Sequence, residues 1–139
     1  MTDADADTAI AHAVMTETRR IRARRATVWA AWTEAEHRKA WFGGPGMEEI
    51  ERHVDFRVGG SEILHGRFPG GGESRYVARF HLIEPEVRLI YAFDMVVKGA
   101  PYSVSLTGVR LREAPEGTEL TYVEQIQMVA EDGDLAGRR

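Results

Sequence analysis

Two charged side chains stand where apolar ones would be expected. Arg52 shares the apolar parity of a strand-like segment with Ile50, Val54 and Phe56, and Glu124 shares one with Leu120, Tyr122, Ile126 and Met128. An isolated charge in an apolar interior is costly, so each must be paired, exposed at an edge or aimed into a wet cavity. Pairing for structural reasons is the plain reading of both. The sharper reading sets Glu124 in the wall of a ligand cavity, where a desolvated carboxylate is suited to proton transfer or to holding a ligand by hydrogen bonds. Tyr76, Tyr91 and Tyr122 can offer hydroxyls to the same surroundings, although core tyrosines with a wet tip need no function.

Other chemistry finds little support. The chain has no Gly-x-Ser-x-Gly, no phosphate-binding Walker loop and no His-Glu-x-x-His. Gly70-Gly71-Gly72 lies between two strand-like segments, so no helix N-terminus is on hand for an anion and a hairpin loop is the better reading. The five histidines, His12, His37, His53, His65 and His81, have no metal-ligand spacing. His53 and His65 fall on adjacent predicted strands and could meet, but no metal site and no cofactor are expected. With no cysteine in the chain, thiolate ligands, disulfides and a cysteine nucleophile are excluded, and the balance tips toward a cytoplasmic setting.

The elements that must position these residues are mostly strands. The chain of 139 residues is 43% hydrophobic and 29% charged, with a net charge of -4; this suits one globular domain and argues against nonspecific nucleic-acid binding. No apolar run is long enough to span a membrane, and the acidic start lacks the basic stretch of a signal peptide. Residues 1–11 read as a flexible tail, 12–130 as the domain and 131–139 as a second tail. Val28, Trp29 and Trp32 define one face of a short helix. Thr33-Glu34-Ala35-Glu36 reads as a capping box that opens a second short helix, ended by Gly43-Gly44-Pro45-Gly46. Trp29, Trp32, Trp41 and Phe42 are expected to pack these helices on the sheet and rim its hollow, or to gate it. Around the helices, alternating segments and short turns predict one strand before and six after, mostly antiparallel because such short links cannot cross over.

Arg20-Ile21-Arg22-Ala23, Val28-Trp29-Ala30-Ala31-Trp32-Thr33, Trp41-Phe42-Gly43-Gly44-Pro45-Gly46, Asp55-Phe56-Arg57-Val58-Gly59-Gly60, Ile83-Glu84-Pro85 and Gly117-Thr118-Glu119-Leu120-Thr121-Tyr122 follow in order along the chain. Together they resemble the SRPBCC superfamily, and within it the homologues of the C-terminal domain of the heat-shock chaperone ATPase activator. The resemblance implies an α+β helix-grip fold, related to START domains and the birch-pollen allergen. In that fold a curved antiparallel sheet encloses an apolar cavity against a long C-terminal helix. Here the chain ends soon after the last strand, so that helix is expected to be absent. Either a second copy then covers the open face as a homodimer, or the sequence is a truncated piece of a longer chain, or the fold is altered. The doubled glycine before Pro45 is a smaller departure.

The function this suggests is binding of a small hydrophobic molecule in a cavity lined by Trp29, Trp32, Trp41, Phe42, Arg52, Val54, Phe56, Tyr76, Phe80, Tyr91, Tyr122 and Glu124. Two alternatives stay open: a cyclase- or hydrolase-like enzyme with Glu124 as its carboxylate, and a protein-interaction module like the chaperone co-factors.

Overall fold

The computed structural model describes residues 10–34 and 46–130. Strand β1 (His12–Ile21) leads into helix α1 (Arg25–Thr33), and six strands follow: β2 (Glu48–Val54), β3 (Ser61–Arg67), β4 (Glu73–Glu84), β5 (Arg88–Val97), β6 (Ala100–Ala114) and β7 (Gly117–Met128). They form one curved, wholly antiparallel sheet in the order β1-β7-β6-β5-β4-β3-β2. The first two strands thus lie at opposite edges, and the chain between them must cross the sheet. Helix α1 begins that crossing, packed on the β6 and β7 side. The second helix expected from Thr33 onward, with Trp41 and Phe42, lies outside the described residues, as does the chain beyond residue 130.

At the end of α1 the Thr33 hydroxyl donates back to the Trp29 carbonyl one turn earlier, at 2.8 Å, while the Glu34 N–H satisfies the Ala30 carbonyl of the last turn at 2.9 Å. The hairpins are set by local chemistry. Lys98 and Gly99 both have positive φ, +52° and +78°, the geometry that lets a two-residue turn match the strand twist between β5 and β6.

Two bulges change the faces that alternation suggests. Between Glu49 and Glu51 the register with β3 slips, leaving Ile50 as an extra residue, 42% exposed. Ile50 therefore does not join Arg52 on an apolar face, and Glu49 takes that side instead. A second slip at His81 turns Ile83, rather than Leu82, toward the core. Strand β2 also ends earlier than its alternation implies. Asp55 to Gly60 make a loop clipped to β4 by Gly59 N–H to Phe80 O (2.9 Å) and Phe80 N–H to Gly60 O (3.1 Å). Gly60 is needed there because any Cβ would collide with the Asp55 carbonyl oxygen.

The concave face holds the core: Leu64, Tyr76, Phe80, Leu89, Tyr91, Val109, Leu111 and Leu120 with Val28 of α1. Ile126 and Met128 are buried as well, all within a single chain. Cover for these positions does not require the second copy considered from the sequence.

Candidate functional site: a buried carboxylate on the concave face

Alternation along β7 turns Leu120, Tyr122, Glu124, Ile126 and Met128 to the concave side. Glu124 lies opposite Thr107 of β6 and Met15 of β1, and is only 4% exposed. Its two oxygens have separate donors. Ser105 Oγ donates to Oε2 and the Tyr122 hydroxyl donates to Oε1, each at 2.7 Å. Donors of this kind are what make a buried carboxylate tolerable. Trp32 of α1 stacks on the Tyr122 ring, centroids 5.9 Å apart and planes at 29°, holding the phenol in place from above.

The Tyr122 hydroxyl is pushed well above its ordinary pKa, first by burial, then by the neighbouring Tyr91 and by its bond to Glu124 and that carboxylate's charge, against a small opposing pull from Thr107. It therefore stays a protonated donor at neutral pH. Thr107 Oγ1 is buried beside this pair and meets no partner in good hydrogen-bond geometry, so the contact behind that pull is a weak one. Ser103, Ser105 and Thr107 make a buried hydroxyl stripe along β6. The sequence reading assigned no inner face to this strand, where the apolar residues Val104 and Leu106 lie on the opposite parity. Both of those are exposed.

The expected cavity residues divide into three groups. Tyr122 and Glu124, with Trp32, form the polar cluster. Trp29, Phe56, Phe80, Tyr91 and Tyr76 form a chain of aromatic contacts, the last two joined through Phe93, which was not among the expected residues, with centroid spacings from 4.9 to 6.5 Å. Each such contact contributes about 0.5–1.5 kcal/mol beyond area burial. Phe80 is nearly inaccessible at 2% exposed, whereas Trp29, Phe56 and Val54 remain partly open. Arg52 stands apart at the far edge strand, where its Nε donates to Glu49 Oε1 at 2.5 Å. The bulge at Ile50 brings these two residues to one face, so the structural pairing foreseen for Arg52 is present. Strands β3 to β6 separate it from Glu124.

A second buried carboxylate, Glu62 of β3, faces the same side opposite Val54 and Ala78 and is 2% exposed. Its sequence signal was the shared parity with Leu64 and Gly66. His53 and His65 lie on the convex side of adjacent strands, but His65 turns its Nε2 to Glu73 Oε1 at 3.3 Å. Among the described residues no three potential ligands gather as a metal site, and no helix is long and apolar enough to cross a membrane. A groove of about 520 Å³ opens on the convex face between Val14, Ala92, Val104 and Leu106; it carries no carboxylate and lies across the sheet from Glu124.

Chemically, the cluster offers an acceptor held by two fixed donors at the margin of an aromatic wall. Ser105 is hydrogen-bonded to a carboxylate, not to an imidazole base, so no nucleophilic triad of the serine–histidine type is assembled.

Solved structures share the fold. An uncharacterised protein from Rhizobium leguminosarum superimposes with a TM-score of 0.87 at 30% identity, covering 94% of this chain and 86% of its own. A protein from Rhizobium loti gives 0.82 at 32% identity, over 93% of this chain and 88% of that one. One from Nitrosomonas europaea gives 0.64 at 25% identity, over 80% and 73%. No curated protein matches the sequence. The family model described as Activator of Hsp90 ATPase homolog 1-like protein matches residues 22–137. That match runs from the end of β1 past β7 and takes in α1, the Gly60 loop and Glu124. By this match and the shared helix-grip architecture, the chain belongs to the Activator of Hsp90 ATPase homolog 1-like family within the SRPBCC superfamily.

Proposed function

We propose that the protein binds a small hydrophobic molecule between the curved sheet and α1, with the Glu124 cluster receiving the ligand's polar group. The observation that supports this is the Glu124 carboxylate, buried with Tyr122 and Ser105 on a face that is otherwise largely apolar and aromatic. An ionised carboxylate only accepts hydrogen bonds, so the favoured ligand is apolar with one hydroxyl or amine donor. Trp32 and Trp29, partly open above the sheet, are the side chains that such a ligand would meet first. A cytoplasmic setting accords with the absence of cysteine.

The test is fluorescence titration with N-phenyl-1-naphthylamine, a neutral apolar probe carrying one N–H donor. Saturable single-site binding is expected, with thermal stabilisation of about 2.7 kcal/mol at 100 times the dissociation constant. Substituting Glu124→Gln should weaken it by about tenfold, the equivalent of one hydrogen bond. Absence of saturable binding to this probe and to its alcohol counterparts would remove the proposal.

The family description favours a second reading, association with a chaperone ATPase. It predicts direct binding to such an ATPase and faster ATP hydrolysis, neither of which a ligand-binding role requires.

A further inference from the structure

The two edges of the sheet are built differently. Strand β2 has seven residues, a bulge and four side chains of Glu or Arg, which are the usual means of blocking edge pairing. Strand β1 has ten residues, no proline, and an unbroken register with β7 from His12 to Ile21. The Ala11 carbonyl accepts from Met128 N–H at 2.8 Å, so by alternation the odd-numbered residues of β1 bond to β7. The backbone groups of His12, Val14, Thr16, Thr18 and Arg20 then point away from the sheet. Thr16 to Arg20 are all exposed, and no described strand pairs with this side.

We infer that the β1 edge is a self-association surface, where β1 of a second copy pairs antiparallel about a two-fold axis at Thr18. In that register the two Thr18 residues exchange backbone hydrogen bonds, and Thr16 pairs with Arg20 of the second copy. Glu17 faces Arg19 of the second copy, and Arg19 faces its Glu17. These are non-hydrogen-bonded positions, where cross-strand side chains approach most closely. Met15 and Ile21, both partly buried on the concave side, also face each other across the axis. Moving the axis one residue to Glu17 or to Arg19 would set like charges opposite each other, so charge selects the register. Glu17 and Arg19 already approach at 3.4 Å within one chain, 57% and 70% exposed; exchanging that exposed contact for one across the axis costs the single chain little. The interface is one strand edge, below the roughly 1,200 Å² of a standard complex, and the dimer is accordingly weak and reversible.

The chain has no cysteine, which makes the test clean. Under mild oxidation Thr18→Cys should give a disulfide-linked dimer, because hydrogen-bonded cross-strand pairs stand about 5.5 Å apart at Cα, within disulfide reach. Val14→Cys should not, because the two positions would lie roughly 26 Å apart. In light scattering, Glu17→Arg should raise the concentration for half-dimerisation at least about tenfold, and adding Arg19→Glu should restore it, with circular dichroism unchanged throughout. Equal cross-linking of the two cysteine variants, or a monomer persisting at about 1 mM wild-type protein, would overturn the inference.

Discussion

Replacing Glu124 by alanine removes an acceptor that one buried and one partly buried hydroxyl depend on, so the effect on stability can be estimated group by group. Ser105 Oγ and the Tyr122 hydroxyl each donate at 2.7 Å, and bonds to a charged acceptor contribute about 1.5–3 kcal/mol each. Relief of the carboxylate's own desolvation offsets part of this loss. The stranded hydroxyls and a small void add to it. The net expectation for Glu124→Ala is a loss of about 3 kcal/mol. With an unfolding entropy of roughly 2.1 cal/mol/K per residue, that lowers Tm by about 10 °C. Glu124→Gln should lose only about 1 kcal/mol: its single oxygen keeps one donor, and the other hydroxyl can turn to accept from the new amide. The decisive comparison is the triple variant Glu124→Met, Tyr122→Phe, Ser105→Ala. With every partner made apolar together, it should be more stable than Glu124→Ala. Urea unfolding gives all three values from shifts in midpoint at constant slope. A Glu124→Ala protein within about 0.5 kcal/mol of wild type, the range of an ordinary surface change, would refute the reasoning.

Tyr122 should be silent when tyrosine ionisation of the folded protein is followed by absorbance, so Tyr122→Phe should leave that titration unchanged and remove one phenol only from the titration of the unfolded chain. Above the unfolded phenol's pKa of 10.0 the unfolded chain releases a proton that the folded chain retains, so stability falls as pH rises; Tyr122→Phe should flatten that alkaline decline in denaturant midpoints. Gly60→Ala should cost about 1–3 kcal/mol in urea unfolding, because the new Cβ meets the Asp55 carbonyl and, at 3.0 Å, the Arg57 carbonyl, and backbone cannot move aside cheaply. Gly66→Ala should be milder, since the group in the way is the flexible Met47 thioether.

Local patterns in the chain were enough to place seven strands, a short helix and the turns at Pro85, Lys98-Gly99 and Pro115-Glu116, because those depend on neighbouring residues. They also turned Glu124 inward, since β7 alternates without a slip. Arg52 was read correctly as a charge on an inner face, but its partner Glu49 was not, because the bulge that unites them depends on pairing with β3. Strand β6 offered no readable inner face, for a related reason. Its apolar residues change parity, from exposed Val104 and Leu106 to buried Val109 and Leu111, without any break in register with β7. Only the fixed register of β5 and β7 on either side decides that Ser103, Ser105 and Thr107 are the ones turned inward.

What this chain determines by itself is therefore the period and punctuation of its elements, which are properties of residues close together in sequence. Tertiary structure alone decided that Ser105 would reach Glu124 from 19 positions away, that Trp32 would lie on Tyr122, and that Glu62 would be buried. Each of these depends on which strand lies beside which and in what register, and that is set by backbone hydrogen bonds between distant segments.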